Sequence, residues 1–251
     1  MAHEVLGIDV GGSSVKAALI DVHAGRVVGS MISAPTPRPS TPAAMMPVLA
    51  GLAARLPGSA GRVGIAFPSV IKAGTAFTAA NIDSGWIGTN GETLAAQALS
   101  RPVLFLNDAD AAGIAEMRFG NGRGCRGTVV MLTFGTGIGT ALFVDGKLFP
   151  NTELGHLELR GMDAEKWASA GARSAERLDF PAWIERVNEY LLALHQLLWP
   201  DVFILGGAVS ERFAEFAPLL RSPAQLCPAH FAGQAGVVGA AMAAAEAPEQ
   251  P

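Results

Sequence analysis

Short apolar runs closed by glycine, asparagine or aspartate set the rhythm of this chain. Val5-Leu6-Gly7-Ile8-Asp9-Val10 predicts a buried strand, Gly11-Gly12-Ser13-Ser14 a turn, and Val15-Lys16-Ala17-Ala18-Leu19-Ile20 a second strand. A P-loop or dinucleotide fingerprint runs from its glycines into a helix, so this strand, turn, strand pattern matches neither. The pattern returns as Val129-Val130-Met131-Leu132-Thr133, then Phe134-Gly135-Thr136-Gly137-Ile138-Gly139, then Thr140-Ala141-Leu142-Phe143-Val144. Gly11 and Gly135 lie 124 positions apart, close to half of 251 residues. An internal duplication follows, with two similar α/β lobes each presenting a glycine hairpin toward a shared cleft.

Between the hairpins, residues 35–42 predict a proline- and serine-rich surface loop, 45–56 a helix, 62–67 a strand and 103–106 another buried strand. That last strand ends at Asn107-Asp108, and helical composition follows over 109–119. The two polar residues therefore stand at the carboxyl end of a strand, where ligands of α/β sheets gather. Beyond the second hairpin, 183–199 predicts an amphipathic helix stopped by Pro200, and 202–205 a strand leading into Gly206-Gly207 and another helix. The alanine-rich run 236–246 predicts a helix that packs back onto the N-terminal lobe, and 247–251 a frayed tail. The expected division is a smaller lobe of residues 1–108, completed by helix 236–247, and a larger lobe of 109–235.

Composition narrows the functional classes. A chain that is 50% hydrophobic can bury a substantial core. Cys125 and Cys227 provide neither a disulfide framework nor a clustered-cysteine metal site, which fits a reducing cytoplasm. No basic leader precedes the first strand and no apolar run is long enough for a membrane span, so a soluble, unexported protein is expected. A net charge of -4 argues against a broad nucleic-acid surface. Arg118, Arg123 and Arg126 form a local basic cluster that either meets a phosphate chain or solvates a loop.

Glycine turns let backbone N–H groups approach phosphate oxygens, and Ser13, Ser14 and Thr136 add hydroxyl donors. Asp9, at the end of a buried strand, either orders its loop or faces a hydrated magnesium ion. Lys16 either neutralises transferring phosphate or lies on the open face of its strand. Asp108 either takes a proton from an attacking hydroxyl or caps the helix behind it. Glu153 and His156, followed by Glu158 and Glu165, can hold vicinal sugar hydroxyls or a metal ion.

Taken in order, residues 7–16 (Gly-Ile-Asp-Val-Gly-Gly-Ser-Ser-Val-Lys), 107–110 (Asn-Asp-Ala-Asp), 133–139 (Thr-Phe-Gly-Thr-Gly-Ile-Gly), 153–156 (Glu-Leu-Gly-His) and 205–207 (Leu-Gly-Gly) resemble the ROK family of sugar kinases and repressors. The resemblance implies an α/β fold of duplicated ribonuclease-H-like type, shared with actin and hexokinase, two lobes with an active-site cleft between them. Residues 81–90, 132–139, 150–158 and 199–204 are most similar to the branch of that family that phosphorylates glucose from polyphosphate. Asp108 is then implied as the base acting on the 6-hydroxyl, with Asn81, Asn107, Glu153, His156 and Glu165 as glucose contacts. Asp9, Gly11, Gly12, Ser13, Ser14, Lys16, Gly135, Thr136, Gly137, Gly206 and Gly207 are implied on the phosphate side. Magnesium would be carried by the donor phosphates, through water to Asp9, and a homodimer is implied.

The resemblance breaks in two places. Most members carry a cysteine-rich zinc motif after the Gly-His pair; residues 156–165 contain no cysteine, so no zinc is expected and His156 is freed for the sugar. Phe67-Pro68-Ser69 stands where the family has glycine after proline, and Ser69 either adds a contact or narrows the sugar pocket. Inorganic polyphosphate is the expected donor, with ATP as a second. The alternatives are an ATP-only glucokinase, a mannose or amino-sugar kinase, or a sugar-sensing repressor, the last disfavoured because the first hairpin begins within ten residues of Met1.

Overall fold

The computed structural model describes residues 4–56 and 61–248. The expectations placed on residues 1–3 and on the last three positions of the tail lie outside them. Two compact units emerge, one combining residues up to Phe119 with those from Gln234 onward, the other spanning Gly120–Gly233.

In the first unit, β1 (Glu4–Val10), β2 (Ser14–Asp21) and β3 (Arg26–Pro35) form an antiparallel meander. After α1 (Pro42–Ala54), β4 (Val63–Phe67) pairs parallel with β1; after α2 (Gly91–Leu99), β5 (Val103–Asn107) pairs parallel with β4. The sheet order is β3-β2-β1-β4-β5. Each helix starts on a side chain that satisfies an orphan N–H group. The Thr41 hydroxyl accepts from Ala44 at 3.2 Å ahead of Pro42 in α1, and Asn90 Oδ1 accepts from Thr93 at 2.8 Å in α2.

α3 (Asp108–Phe119) follows β5 without a loop. Expected to open the second lobe, it belongs instead to the first unit, because it packs directly on the C-terminal helix Ala235–Glu246. The approach is so close that a methyl group on Gly239 would run into the Ala111 carbonyl oxygen, and one on Gly64 into that of Ala240. Arg118 joins the same contact through an ion pair with Glu246. The core on the other face of the sheet holds Leu6, Ile8, Met45, Leu49, Phe67, Trp86 and Phe105. Trp86 is fully buried and its indole N–H donates to the Ser40 carbonyl at 2.8 Å, so its polar edge is satisfied.

The second unit repeats the plan. β6 (Thr128–Phe134), β7 (Ile138–Val144) and β8 (Lys147–Phe149) form an antiparallel meander; β9 (Val202–Gly206) pairs parallel with β6, and β10 (Gln225–Pro228) with β9. The order β8-β7-β6-β9-β10 reproduces that of the first sheet strand for strand, which is the ribonuclease-H-like duplication. α4 (Ala164–Ala168), α5 (Ala170–Ala175) and α6 (Phe180–Leu198) cover the sheet. Trp183, Ile184, Val187, Tyr190 and Leu191 of α6 meet Leu132, Phe134 and Phe203 in the core. Among the described residues, no helix is long and apolar enough to cross a membrane.

Candidate active site

In both units the glycine hairpin joins the first two strands of the sheet. In the first, Gly11 N–H donates to the Ser14 carbonyl at 3.0 Å, while Gly12 and Ser13 stay exposed. Thr36, just past β3, clamps the turn: its hydroxyl donates to the Gly11 carbonyl at 2.6 Å and its N–H to the Ser13 carbonyl at 3.1 Å. The Asn81 backbone passes alongside, its carbonyl oxygen 3.5 Å from where a methyl on Gly12 would sit.

Asp9 and Lys16 are directly opposite each other in the β1/β2 register, so their side chains share one face of the sheet. The Asp9 carboxyl is pushed up to about 6, first by desolvation and then by the negative charge of Asp108, with Lys16 opposing both. It also lies against the start of the C-terminal helix, where a methyl on Gly236 would sit 2.7 Å from its Cγ. Asp108 is raised as well, by desolvation, with the Ala109 N–H, which donates to Oδ1 at 2.9 Å, pulling the other way.

Helix α3 is capped by the neighbour of Asp108. Asn107 is buried; its Oδ1 accepts from the Asp110 N–H at 3.0 Å and its Nδ2 donates to the Ser69 carbonyl at 3.0 Å. Asp108 is thereby released from the main capping duty and held at the sheet's carboxyl edge. Ser69, 2% exposed, donates its hydroxyl to the Thr78 carbonyl at 2.8 Å and accepts from the Thr78 N–H at 3.2 Å. It braces the loop that carries the Asn107 acceptor.

In the second unit, Gly135 N–H donates to the Gly137 carbonyl at 3.0 Å, and Gly135 and Thr136 are exposed. Three segments close on this hairpin. Gly171, at the start of α5, donates to the Gly135 carbonyl at 2.9 Å; Glu165 Oε2 accepts from the Ile138 N–H at 3.2 Å; and Gly207, at φ +85, packs on the Phe134 backbone. Glu165 thus braces the hairpin as well as facing His156, whose Nδ1 lies 3.9 Å from Glu165 Oε1 and 3.7 Å from Asp163 Oδ2. His156 Nε2 is 3.7 Å from Glu153 Oε2. The turn Leu154–His156 is seated by Thr140, whose hydroxyl donates to the Thr152 carbonyl at 2.7 Å and accepts from Leu154 N–H at 3.2 Å.

Glu158 is exposed and pairs in register with Asp163 across a short hairpin. His156, Asp163 and Glu165 bring one potential ligand atom each to within 4.8 Å of one another, but Lys166 Nζ sits 2.9 Å from Asp163 Oδ2 and holds that carboxyl below its usual range. Of the arginine cluster, Arg118 is engaged by Glu246, while Arg123 and Arg126 are exposed on the turn ahead of β6. Sequence reasoning missed Thr36, Thr78, Thr140, Asp163 and Gly171. Their signals are weak, since Thr36, Thr78, Thr140 and Gly171 act through backbone contacts and Asp163 through a carboxylate near His156 that only the folded chain brings about.

Residues 5–176 match the ROK family. The chain is 43% identical over 238 residues to a polyphosphate glucokinase of Mycobacterium tuberculosis, covering 94% of this chain and 89% of that protein. It superposes on the crystal structure of an inorganic polyphosphate/ATP-glucomannokinase from Arthrobacter sp. strain KM with a TM-score of 0.93 at 41% identity, covering 96% and 98% of the two chains. A ROK family glucokinase from Streptomyces griseus, solved with glucose and AMPPNP, gives a TM-score of 0.81 at 25% identity, covering 97% and 100%.

Proposed function

This chain belongs to the ROK family, and on that premise we propose that it transfers a phosphoryl group from inorganic polyphosphate, with ATP as a second donor, to the 6-hydroxyl of glucose. The observation that carries the chemistry is the placement of Asp108, a carboxylate with a raised pKa at the carboxyl end of β5, fixed by one backbone N–H and coupled to Asp9. A base of that kind accepts the hydroxyl proton as phosphorus is attacked, a contribution of about 10²- to 10⁴-fold.

The remaining residues are assigned by likeness to the family, and Asn107 by its hydrogen bonds. Asn81, Glu153, His156 and Glu165 hold sugar hydroxyls, and Asn107 positions Asp108 through α3. Gly11, Gly12, Ser13, Ser14 and Lys16 in one unit, and Gly135, Thr136, Gly137, Gly206 and Gly207 in the other, serve donor phosphate through backbone N–H groups, hydroxyls and charge. Asp9 fits a hydrated magnesium ion: it is a hard oxygen ligand, partly exposed, at the foot of a glycine hairpin. That ion neutralises phosphate oxygens when bound with the donor. We read the protein as a cytoplasmic homodimer, with exposed Leu192 and Leu197 on α6 and Trp199 at its end as apolar surface for a second copy.

The test is glucose 6-phosphate formation by purified protein with magnesium, supplied separately with long-chain polyphosphate and ATP. Turnover with polyphosphate is expected, and Asp108→Asn should lower kcat at least about 10²-fold while glucose still binds. Activity with ATP alone would withdraw the polyphosphate reading, and near-normal turnover of folded Asp108→Asn would remove Asp108 from the chemistry. A mannose arm in the same assay tests the width of the sugar site.

A further inference from the structure

In the second unit, arginines lie over aromatic rings in pairs. Arg160 and Arg186 stack on Trp167, with guanidinium carbons 5.0 and 3.8 Å from its centroid; Arg173 and Arg212 stack on Phe180 at 4.3 and 4.5 Å. Three of these cations are also neutralised by carboxylates: Arg160 by Glu189 at 2.7 Å, Arg186 by Glu176 at 2.5 Å and Arg212 by Glu215 at 2.6 Å. Arg173 differs. Among the described residues it makes no ion pair, and its Nε is buried without a hydrogen-bond partner. The Glu215 carboxyl is held below its usual range first by Arg212, which binds it bidentately, and the Arg173 charge adds to this last.

Arg173 belongs to a segment that touches the second glycine hairpin. Helix α5 begins where Gly171 donates to the Gly135 carbonyl, and Arg173 follows two residues later. Gly207 packs on the start of the same hairpin, at the Phe134 carbonyl, and the 3₁₀ turn Ala208–Arg212 leads from it to Arg212. The two guanidinium groups that meet at Phe180 are therefore carried by two of the three segments that close on the second glycine hairpin. With Trp183 and Phe216 packed beside it, the Phe180 ring is taken up, and the place offers charge rather than a stacking surface for a base.

Resting on the reading of that hairpin as a donor-phosphate loop, we propose that Arg173, supported by Arg212, binds the phosphate chain of the donor. The ligand class is an extended phosphate polyanion, the part shared by inorganic polyphosphate and a nucleoside triphosphate. A guanidinium fork suits it, because two N–H groups address two oxygens of one phosphate.

The experiment measures binding of fluorescently labelled long-chain polyphosphate to the full chain at fixed ionic strength, together with KM for polyphosphate and for ATP. Arg173→Met keeps an apolar stem over Phe180, and Arg173→Lys keeps the charge without the fork. Arg221→Met removes an exposed arginine paired with Glu185 elsewhere on the same unit. Arg173→Met should weaken polyphosphate binding about tenfold or more, Arg173→Lys should weaken it less, and Arg221→Met should leave it within about twofold. A parallel rise in KM for ATP places the contact within the first three phosphates; a rise for polyphosphate alone places it beyond them. Unchanged affinity and unchanged KM for both donors in Arg173→Met, or an equal loss in Arg221→Met, would overturn the assignment. If the wild type binds polyphosphate through Arg173 yet phosphorylates glucose from neither donor, the kinase reading fails and the phosphate site stands.

Discussion

The Thr36 hydroxyl donates to the Gly11 carbonyl at 2.6 Å while the Thr36 N–H holds the Ser13 carbonyl at 3.1 Å, so one residue 6% exposed fixes two peptide planes of the first hairpin. A turn meant to present N–H groups to phosphate needs its planes fixed before the ligand arrives. Thr36→Val keeps the shape and the backbone bond but leaves the Gly11 carbonyl unpaired. It should cost about 1 to 2 kcal/mol in urea melts and raise the KM for the phosphoryl donor several-fold, with glucose KM nearly unchanged. A stability loss with unaltered donor KM would make Thr36 a purely structural latch.

Asn107 spends its side-chain amide on two backbone groups, the Ser69 carbonyl and the Asp110 N–H. Asn107→Ala unpairs both in a buried setting, for a loss of about 2 to 4 kcal/mol, and frees the first turn of α3 that carries Asp108. Its kcat should fall about tenfold or more with a smaller change in glucose KM. Ser69→Ala, which removes only the hydroxyl bond to Thr78, should cost about 1 kcal/mol and affect kcat less. The reverse order of effects would show that Ser69 meets the sugar itself.

Both glycine hairpins were legible because each interrupts a run of apolar residues too regular for anything but strands. Their spacing of 124 positions foretold the repeated sheet order. What escaped was tertiary. β3 alternates weakly and is largely exposed, and β10 is only 4 residues long, so neither stood out as apolar. Helix α3 joined the first unit because Gly239 lets the C-terminal helix touch Ala111, a contact between positions far apart in the chain. Asp108 stands at the strand-to-helix junction read from the sequence, and its capping alternative falls mainly to Asn107, because the Asn107 side chain reaches the Asp110 N–H. Asp163 escaped notice because its approach to His156 depends on the two-residue reversal at Arg160-Gly161.

Gly171 meets the second hairpin at van der Waals range. A methyl there would run into the Thr136 carbonyl oxygen and sit 3.1 Å from Thr136 Cα, main-chain atoms that give way less easily than the end of a side chain. Gly171→Ala should therefore displace the hairpin or α5, at a cost of about 1 to 3 kcal/mol, and raise donor KM more than glucose KM. Wild-type stability and kinetics in this variant would mean that α5 can shift freely away from the hairpin.

Asp9 and Asp108 make the acid range informative, because stability and turnover should move in opposite directions across it. An acid whose folded pKa lies above its unfolded value holds more protons in the native state, so stability falls as pH rises from about the unfolded value, 3.8, to the folded one, about 6, and stays lower above it. Full ionisation of Asp9 then costs the fold about 2 to 3 kcal/mol at neutral pH. Asp9→Asn should be more stable than the wild type at pH 8 by an amount of that order, and the advantage should shrink toward zero near pH 4, as read from urea midpoints at the two pH values. Turnover of the wild type should instead decline as pH falls, since Asp108 must be ionised to accept a proton and its own pKa is raised by desolvation. A stability advantage of Asp9→Asn that is the same at both pH values would mean that the Asp9 carboxylate is solvated in the folded protein, and would take with it the coupling to Asp108.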